Sequence, residues 1–183
     1  AITGSPVNQT ICVGGNTSFS VTATGTGINY QWQVNTGSGF ANINNGGEYA
    51  GATTSILTIT GATIGLNGYQ YRCVVTGTCS PAANSAAATL TVHAPVVVTS
   101  SPANAEVCSG SDASFIVSGN SVPSIIYQWQ VSTDGGTSWT NIAGANTATF
   151  TATGVIVVMN NNRYRCLLSN ATCSTPVASG AAI

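Results

Sequence analysis

The chain has 183 residues, of which 43% are hydrophobic and only 4% are charged, with three arginines, four acids and no lysine. Ordinary globular domains carry about 25% charged residues, so this is a large deviation. The formal net charge of −1 offers no basic surface to nucleic acid or to an anionic membrane, and we expect neither partner. No apolar run approaches the roughly 20 residues that span a bilayer, and a signal-peptide pattern is absent from the N-terminus, which is typical of a mature secreted chain.

The low charge allows two interpretations. Net charge keeps proteins monomeric and soluble, so a chain with so little of it repels its own copies weakly, and self-association is one hypothesis. The other is that repeats of secreted proteins drift toward Thr, Ser and Asn without any such role. The abundance of these residues beside many hydrophobic ones favours a folded β protein over a disordered chain.

Within the first half of the chain, short segments rich in β-branched and aromatic residues alternate with Gly and Asn clusters. They predict strands at 9–13, 17–23, 29–34, 55–60, 69–76 and 86–92. Phe19 and Val21 share one strand face, and Leu57 and Ile59 share another, as two packed sheets require. No segment has sustained helical periodicity with caps, so helix should be nearly absent.

The second half repeats the first. Residues 30–34, Tyr-Gln-Trp-Gln-Val, recur at 127–131, and residues 71–73, Tyr-Arg-Cys, recur at 164–166, at offsets of 97 and 93. Near-constant spacing of such distinctive sequence motifs indicates a duplicated module. We therefore predict two domains, module 1 at 1–93 and module 2 at 94–183.

The key positions resemble those of immunoglobulin domains. Trp32 follows Val21 by eleven positions, where such a domain places its strand C tryptophan after its strand B cysteine, and Tyr71 precedes Cys73 by two, as in a tyrosine corner. Module 2 repeats these residues as Trp129, Tyr164 and Cys166. One position departs from the pattern, because Val21 replaces the cysteine that would bridge strands B and F.

Taken together, these sequence motifs resemble the immunoglobulin-like repeats of large secreted adhesins and surface proteins of gliding bacteria. The resemblance covers essentially the whole chain and implies an all-β fold of two tandem immunoglobulin-like β-sandwich domains. It also implies a core built on four aromatic residues: Trp32, Tyr71, Trp129 and Tyr164. The same topology implies that Cys73 and Cys166 are core cysteines, which behave as small apolar residues.

The four other cysteines are candidates for disulfides: Cys12, Cys79, Cys108 and Cys173. Six cysteines without a CxxC pair favour an oxidising compartment over a zinc or redox site. By the family topology Cys12 and Cys79 lie at opposite ends of module 1, about 20 Å apart, which is too far for a disulfide.

Two disulfide maps remain open. If modules stack head to tail, Cys12 pairs with Cys173, and Cys108 pairs with Cys79 of a following copy. In the rival map Cys12 pairs with Cys73 and Cys108 with Cys166.

The two chain ends suggest contacts with other modules. Module 1 closes on a strand that ends in Ala-Thr-Leu-Thr-Val at 88–92, whereas module 2 stops at Ala181, Ala182 and Ile183, so its final strand looks incomplete. An unfinished sandwich is a template for strand addition from another chain. A neighbour's Ala1, Ile2 and Thr3 could supply that strand. The alternative is that the sequence was cut from a longer array of repeats.

Enzymatic and metal functions are not indicated. His93 is the only histidine and lies in the connector, and the four acids are scattered across turns. No base, nucleophile and orienting group can be assembled from this inventory, and no Asp-rich loop offers a calcium site. We predict a protein that is not an enzyme and has no cofactor and no metal.

Trp139 is the one candidate for stacking on a ligand. It ends Ser-Thr-Asp-Gly-Gly-Thr-Ser-Trp at 132–139, which resembles the Asp-box turn of sialidases. We interpret Asp134, Gly135 and Gly136 as a tight turn, with Trp139 packed back on the sheet. An exposed tryptophan could instead stack on a sugar ring.

The sequence therefore favours a structural or adhesive extracellular protein, secreted or held at the cell surface. Its modules would stack end to end into a filament or stalk, with copies of itself or neighbouring immunoglobulin-like modules as partners. The alternative is a carbohydrate-binding accessory module of a secreted enzyme or adhesin, with surface glycans as partners.

Overall fold

A computed structural model of the chain describes residues 1–78, 81–121, 124–173 and 175–183. The chain divides into two compact units, Ala1–Ala94 and Pro95–Ile183, each with its own core. The observed division lies one residue beyond the one expected from the sequence, so module 1 includes Ala94. No helix in the described ranges is long and apolar enough to cross a membrane.

Module 1 contains eleven strands and one 3₁₀ turn among its described residues. The strands are β1 (Ile2–Gly4), β2 (Gln9–Cys12), β3 (Thr17–Ser20), β4 (Thr22–Ala23), β5 (Asn29–Asn35), β6 (Phe40–Asn42), β7 (Tyr49–Ala50), β8 (Ile56–Ile59), β9 (Gln70–Thr76), β10 (Ala83–Asn84) and β11 (Ala88–His93). The 3₁₀ turn is Ile64–Leu66.

The strands of module 1 form two main sheets and one pair. The larger sheet has the order β2-β11-β9-β5-β6, with β10 also paired to β9, and the smaller has the order β3-β8-β7. The short strands β1 and β4 pair with each other. Strand β11 runs antiparallel to β9 at its start and parallel to β2 at its end, so it joins β2 to the rest of the larger sheet.

Module 2 repeats this plan with eight strands among its described residues. They are β12 (Val97–Ser100), β13 (Ala113–Ile116), β14 (Ser118–Asn120), β15 (Ile126–Ser132), β16 (Thr140–Asn141), β17 (Thr149–Ala152), β18 (Arg163–Ser169) and β19 (Val177–Ala178), with a 3₁₀ turn at Val157–Met159. The sheet orders are β16-β15-β18-β19, β13-β17 and β12-β14.

The alternation of apolar and polar residues explains how the two sheets pack. In β9, Tyr71, Cys73 and Val75 point into the core while the residues between them do not. Leu57 and Ile59 of β8 approach the same core from the facing sheet and are fully buried. Burial of each such side chain contributes about 1.5–3 kcal/mol.

The fold class predicted from the sequence is confirmed: the protein is all-β and has the fold of two tandem immunoglobulin-like domains. One predicted strand is interrupted. Residues 17–23 form two strands, because the backbone changes its partner at Val21, from β8 before it to β1 after it.

Candidate functional sites

Ionisable side chains do not converge in the described part of the chain, where no group of three or more His, Cys, Asp and Glu residues could hold a metal ion. Asp112 has a structural task, since its Oδ1 accepts a hydrogen bond from the N–H of Gly154 at 2.8 Å. His93 ends β11, opposite Cys12 of β2.

The two tryptophans of the repeated word lie at the centres of the modules. Trp32 and Trp129 are fully buried. Each indole N–H donates to a backbone carbonyl at 2.9 Å, that of Thr54 for Trp32 and that of Thr147 for Trp129. A buried indole with a satisfied N–H is a packing element, so neither ring is available to a ligand.

The tyrosines that precede the core cysteines are also buried. Tyr71 stacks on Phe19 with ring centroids 4.8 Å apart, and its hydroxyl lies 3.1 Å from that of Tyr49. Burial raises the pKa of Tyr71 well above its usual range, and the hydrogen bond to Tyr49 adds to the rise. In module 2, Tyr164 stacks on Phe115 at 4.7 Å.

Cys73 and Cys166 are free and buried at the middle of β9 and β18. Their backbone N–H groups donate to the hydroxyls of Ser85 and Ser179, at 2.9 and 3.0 Å. Burial raises the pKa of each thiol to about 11. Because the thiolate is the reactive form, these two cysteines are inert at neutral pH.

Cys12 and Cys173 are both disulfide-bonded. Cys12 is the last residue of β2, while Cys173 lies in the loop after β18, where its N–H donates to Asn170 Oδ1. Cys108, the counterpart of Cys12 in module 2, is free and exposed. Cys79, the remaining disulfide candidate, lies outside the described residues.

The turn at 132–139 is organised by a single carboxylate. Asp134 Oδ1 accepts hydrogen bonds from the N–H groups of Thr137 and Ser138 at 3.0 and 2.9 Å and from the hydroxyl of Ser132 at 2.7 Å. The hydroxyl of Ser138 also donates to Oδ2, and this bond, followed by the others, holds the pKa of Asp134 far below its usual range. Gly135 and Gly136 have φ angles of 76° and 98°, which other residues rarely adopt.

Trp139 is half-buried and already carries a partner on its ring. The guanidinium of Arg165 lies 4.1 Å from the ring centroid, and the indole N–H donates to the Gly136 carbonyl at 3.1 Å. Gln130 holds the arginine in place by accepting from its Nε at 2.8 Å. Module 1 has the same arrangement, with Arg72 4.0 Å from the ring of Phe40. This pairing was not predicted from the sequence, although arginine occupies the same place in both copies of Tyr-Arg-Cys.

The N-terminal residues pair within their own module. Ile2 of β1 faces Ala23 of β4 and packs on the core of module 1, and the carbonyl of Ala1 accepts from the N–H of Thr24 at 2.8 Å. Supplying Ala1, Ile2 and Thr3 to a neighbour would therefore require β1 to detach.

The C-terminal residues make backbone hydrogen bonds to two other segments of module 2. Ala182 is buried and exchanges two backbone hydrogen bonds with Tyr164, at 2.8 and 2.9 Å. Ile183 bonds to a different segment: its carbonyl accepts from Ala105 N–H at 2.8 Å, and its side chain is partly exposed. Ala181, before them, is exposed.

A groove lies beside Ile183, entirely within module 2. It has a volume of about 260 Å³ and lies between residues 105–109 and residues 155–164. Val107, Met159 and Tyr164 contribute apolar surface, and three successive asparagines, Asn160, Asn161 and Asn162, contribute polar groups. The sequence gives no direct sign of this groove, because its walls come from two segments some 50 residues apart.

Comparison with known sequences gives one family over module 2 and one relative over most of the chain. Residues 97–183 match a family described as a domain of unknown function, DUF8696. Over 172 residues, 93% of this chain, the sequence is 34% identical to a protein named endoglucanase C from Cellulomonas fimi. The chain spans 15% of the length of that relative.

Solved structures share the fold at low sequence identity. An I-band fragment of titin covers all of this chain and has a TM-score of 0.74 at 17% identity, with 63% of the titin fragment covered. The two-domain structures of Rst D1-D2 and of DIP-gamma IG1+IG2 give TM-scores of 0.65 and 0.60 at 15% and 16% identity. This chain covers 95% and 94% of those two structures, and they cover 98% and 100% of it. At these low identities, the structural similarity shows the tandem immunoglobulin-like fold alone.

Proposed function

We propose that this chain is a non-catalytic structural and adhesive unit of an extracellular protein, whose modules stack end to end into a filament or stalk. The support comes from the disulfide-bonded cysteines, each of which lies at an end of its own sandwich. Disulfides persist in oxidising compartments, which supports a secreted or cell-surface location. A stalk of the gliding-bacteria adhesin type fits this proposal.

In module 1 the disulfide-bonded cysteine lies at the end where the chain leaves the sandwich. Cys12 stands opposite His93, the last residue of β11, and the N–H of the following residue, Val13, donates to the His93 carbonyl at 2.9 Å.

In module 2 the disulfide-bonded cysteine lies at the end where the chain enters. Asn170, whose side chain binds the N–H of Cys173, also donates to Ser121 at 2.9 Å. Ser121 follows β14, whose Asn120 pairs with Val97, the first residue of β12. We therefore propose that Cys12 pairs with Cys173 across the short connector that includes Pro95.

The same disulfide pairing extends to further modules. Cys108 has the sequence position of Cys12, and Cys79 has that of Cys173. In a continued stack, Cys108 of one copy would pair with Cys79 of the next.

Electron microscopy of the oxidised, purified chain tests the proposal. We expect filaments with an axial repeat of two modules, and we expect Cys108→Ser to shorten them while Cys166→Ser, at a buried free thiol, leaves them unchanged. A chain that remains monomeric at high concentration under oxidising conditions would overturn the proposal.

A second candidate function is carbohydrate binding, as an accessory module of a secreted enzyme or adhesin. The observation that favours it is the 34% identity to a protein whose name refers to glucan cleavage. The platform would be Trp139, whose ring is half-buried and whose orientation Arg165 fixes. Surface glycans would be the partners.

Calorimetric titration with cello-oligosaccharides separates the two candidates. Binding that Trp139→Ala abolishes and that Phe40→Ala preserves would favour the second function. The filament proposal expects no saturable binding in either variant or in the unaltered chain.

A further inference from the structure

A relay of three polar side chains crosses the outward face of the larger sheet in module 1. Arg72 Nε donates to Gln33 Oε1 at 2.9 Å, and Gln33 Nε2 donates to Asn42 Oδ1 at 2.9 Å. The three residues lie opposite one another on β9, β5 and β6. Two strand spacings separate the first residue from the last, so the relay spans about 10 Å.

The arginine fixes the direction of this relay. A guanidinium only donates hydrogen bonds, so the Gln33 oxygen faces Arg72 and the Gln33 NH₂ group faces Asn42. Arg72 is also held by the ring of Phe40, 4.0 Å away. Among the described residues, no acceptor takes the Nδ2 group of Asn42 or the two Nη groups of Arg72. The relay therefore presents only donors to its surroundings.

The neighbouring row on the same face has the same polarity. Asn35 Oδ1 accepts from the N–H groups of Gly37 and Gly39 at 2.9 and 3.0 Å, and Asn35 Nδ2 donates to Gln70 Oε1, 3.3 Å away. Gln70 is exposed, and its Nε2 has no acceptor in the part of the chain that the structure describes. On the other side of the relay, Gln31 gives its NH₂ group to two backbone carbonyls, at 2.9 Å each, and bounds the donor surface.

Module 2 keeps the relay and adds a charge to the neighbouring row. Arg165 Nε donates to Gln130 Oε1, and Gln130 Nε2 donates to Asn141 Oδ1, both at 2.8 Å. At the offset of 93 that relates the two Tyr-Arg-Cys motifs, Arg163 takes the place of Gln70. Arg163 is exposed on β18. A cation that donates hydrogen bonds thus replaces an amide that donates them, and the face remains a donor surface.

The positively charged side chains of the whole protein lie on these two faces. The sequence has three arginines and no lysine, and the arginines are Arg72, Arg163 and Arg165. The four acids lie outside the strands that form the faces: Glu48, Glu106, Asp112 and Asp134. A chain of net charge −1 therefore carries two positive surfaces whose hydrogen-bonding groups are donors. An oxyanion, which only accepts hydrogen bonds, is complementary to both properties.

We propose that these two faces bind an acidic polysaccharide. The Nη groups of Arg72 and Arg165 bind its carboxylate or sulfate groups, and the Nδ2 groups of Asn42 and Asn141 donate to oxygens further along it. The inference goes beyond both candidate functions, since it requires neither filaments nor a tryptophan ring that is free for stacking.

The extent and the number of the sites favour a polymer. A donor surface about 10 Å wide exceeds the reach of one anionic group, and a site repeated once in each module favours a ligand with repeated anionic groups, because linked sites add avidity. Three arginines are too few for a nucleic acid, whose affinity comes from many neutralised phosphates.

Calorimetric titration of the full chain tests the ligand class. The first pair of probes is oligogalacturonate, whose carboxylates are free, and its methyl ester, in which the same sugars are uncharged. The second pair is dextran sulfate and dextran. We expect at least one acidic probe to bind saturably and its neutral partner to bind about tenfold more weakly or not at all. The acidic probe that binds shows whether the anion is a carboxylate or a sulfate.

Three results would overturn the proposal. They are equal affinity for the acidic and neutral members of both pairs, the absence of binding by both acidic probes, and equal or tighter binding of a single-stranded oligothymidylate.

A double variant tests the donors. Asn42→Asp with Asn141→Asp keeps Oδ1 for the glutamine and replaces each free Nδ2 donor with a carboxylate oxygen, so we expect affinity to fall by about tenfold or more. The matched control, Ser18→Asp with Ser114→Asp, makes the same change in net charge at exposed positions of β3 and β13, in the facing sheets. An equal loss in both double variants would show that net charge alone governs binding and would contradict the site.

A second double variant tests the geometry of the arginines. Arg72→Lys with Arg165→Lys keeps the charge but removes the planar fork and the bond from Nε, and we expect a loss of about tenfold. Unchanged affinity would refute the role given to the Nη groups. Binding without filaments would keep this inference and refute the stacking function, whereas filaments without binding would do the reverse.

Discussion

Ser85 and Ser179 show how a single side chain completes the sheet edge in both modules. Each is buried and takes a hydrogen bond from the N–H of the core cysteine, while its own N–H donates to that cysteine's carbonyl at 2.9 Å. The hydroxyl therefore stands in for a backbone acceptor at the middle of β9 or β18. The repeat could have revealed this role, since a serine lies 12 or 13 positions after each core cysteine.

We predict that Ser85→Ala destabilises module 1 by about 1–3 kcal/mol, because the N–H of Cys73 is left buried without an acceptor. Ser179→Ala should do the same in module 2. Urea unfolding followed by tryptophan fluorescence measures the loss, and Ser18→Ala, at an exposed position of β3, is the control, with a change within about 0.5 kcal/mol. A Ser85→Ala chain as stable as the control would show that the bond is dispensable.

The core thiols predict a dependence of stability on alkaline pH. Their pKa is about 11 in the folded chain and 9.0 for an exposed thiol, so the unfolded chain loses these protons first. Their contribution is complete below pH 9 and declines as the pH rises from about 9 toward about 11. We expect a smaller loss of stability between pH 8 and pH 10 in the double variant Cys73→Ala, Cys166→Ala, whatever its absolute stability. An identical loss in the double variant and the unaltered chain would exclude the thiols as its source.

At the scale of elements, the long central strands could be predicted and the short edge strands could not. Strands β5 and β9 have seven residues each; β9 carries a period-two burial of side chains in its own sequence, and β5 contains the repeated motif around the buried Trp32. Strands β7 and β10 have two residues each, so their existence depends on pairing with β8 and β9 and leaves no local pattern. For the same reason the strand predicted at 86–92 begins only at Ala88, where pairing with Tyr71 starts.

The candidate sites also divide into those that the sequence predicts and those that it does not. The core positions of Trp32 and Trp129 follow from the repeated word, because an immunoglobulin-like module buries one tryptophan there. The groove of module 2 could not be found from the sequence, since residues about 50 positions apart line it.

The hydrogen bonds of the turn at 132–139 predict that substitutions at two neighbouring residues differ in their effect on the melting temperature. Asp134→Ala should lower the melting temperature of module 2, because three backbone and hydroxyl donors that converge on Oδ1 lose their acceptor. Thr133→Ala, at an exposed residue of the same turn, should leave the melting temperature unchanged. Differential scanning calorimetry measures both, and equal melting temperatures for the two variants would contradict the role given to the carboxylate.

The effect of Asp134 has a defined pH window. Its pKa is lowered in the folded chain, so its contribution is present above the ordinary carboxyl pKa of 3.8 and is lost as the pH falls below that value. The melting temperatures of Asp134→Ala and the unaltered chain should therefore converge in strong acid. A constant difference down to pH 1 would show that the charge is not what stabilises the turn.

At the scale of the whole molecule, the two modules share one plan and differ in the state of their cysteines. Module 1 has a disulfide-bonded Cys12, whereas its counterpart in module 2, Cys108, is free and exposed.

The disulfide map of the oxidised, native chain tests this account most directly. Proteolysis under non-reducing conditions, followed by mass spectrometry, should recover a peptide from β2 joined through Cys12 to a peptide from the loop that contains Cys173, with Cys73 and Cys166 as free thiols. Cys12 joined to Cys73, with Cys108 joined to Cys166, would place the bonds inside the modules and contradict the end-to-end arrangement.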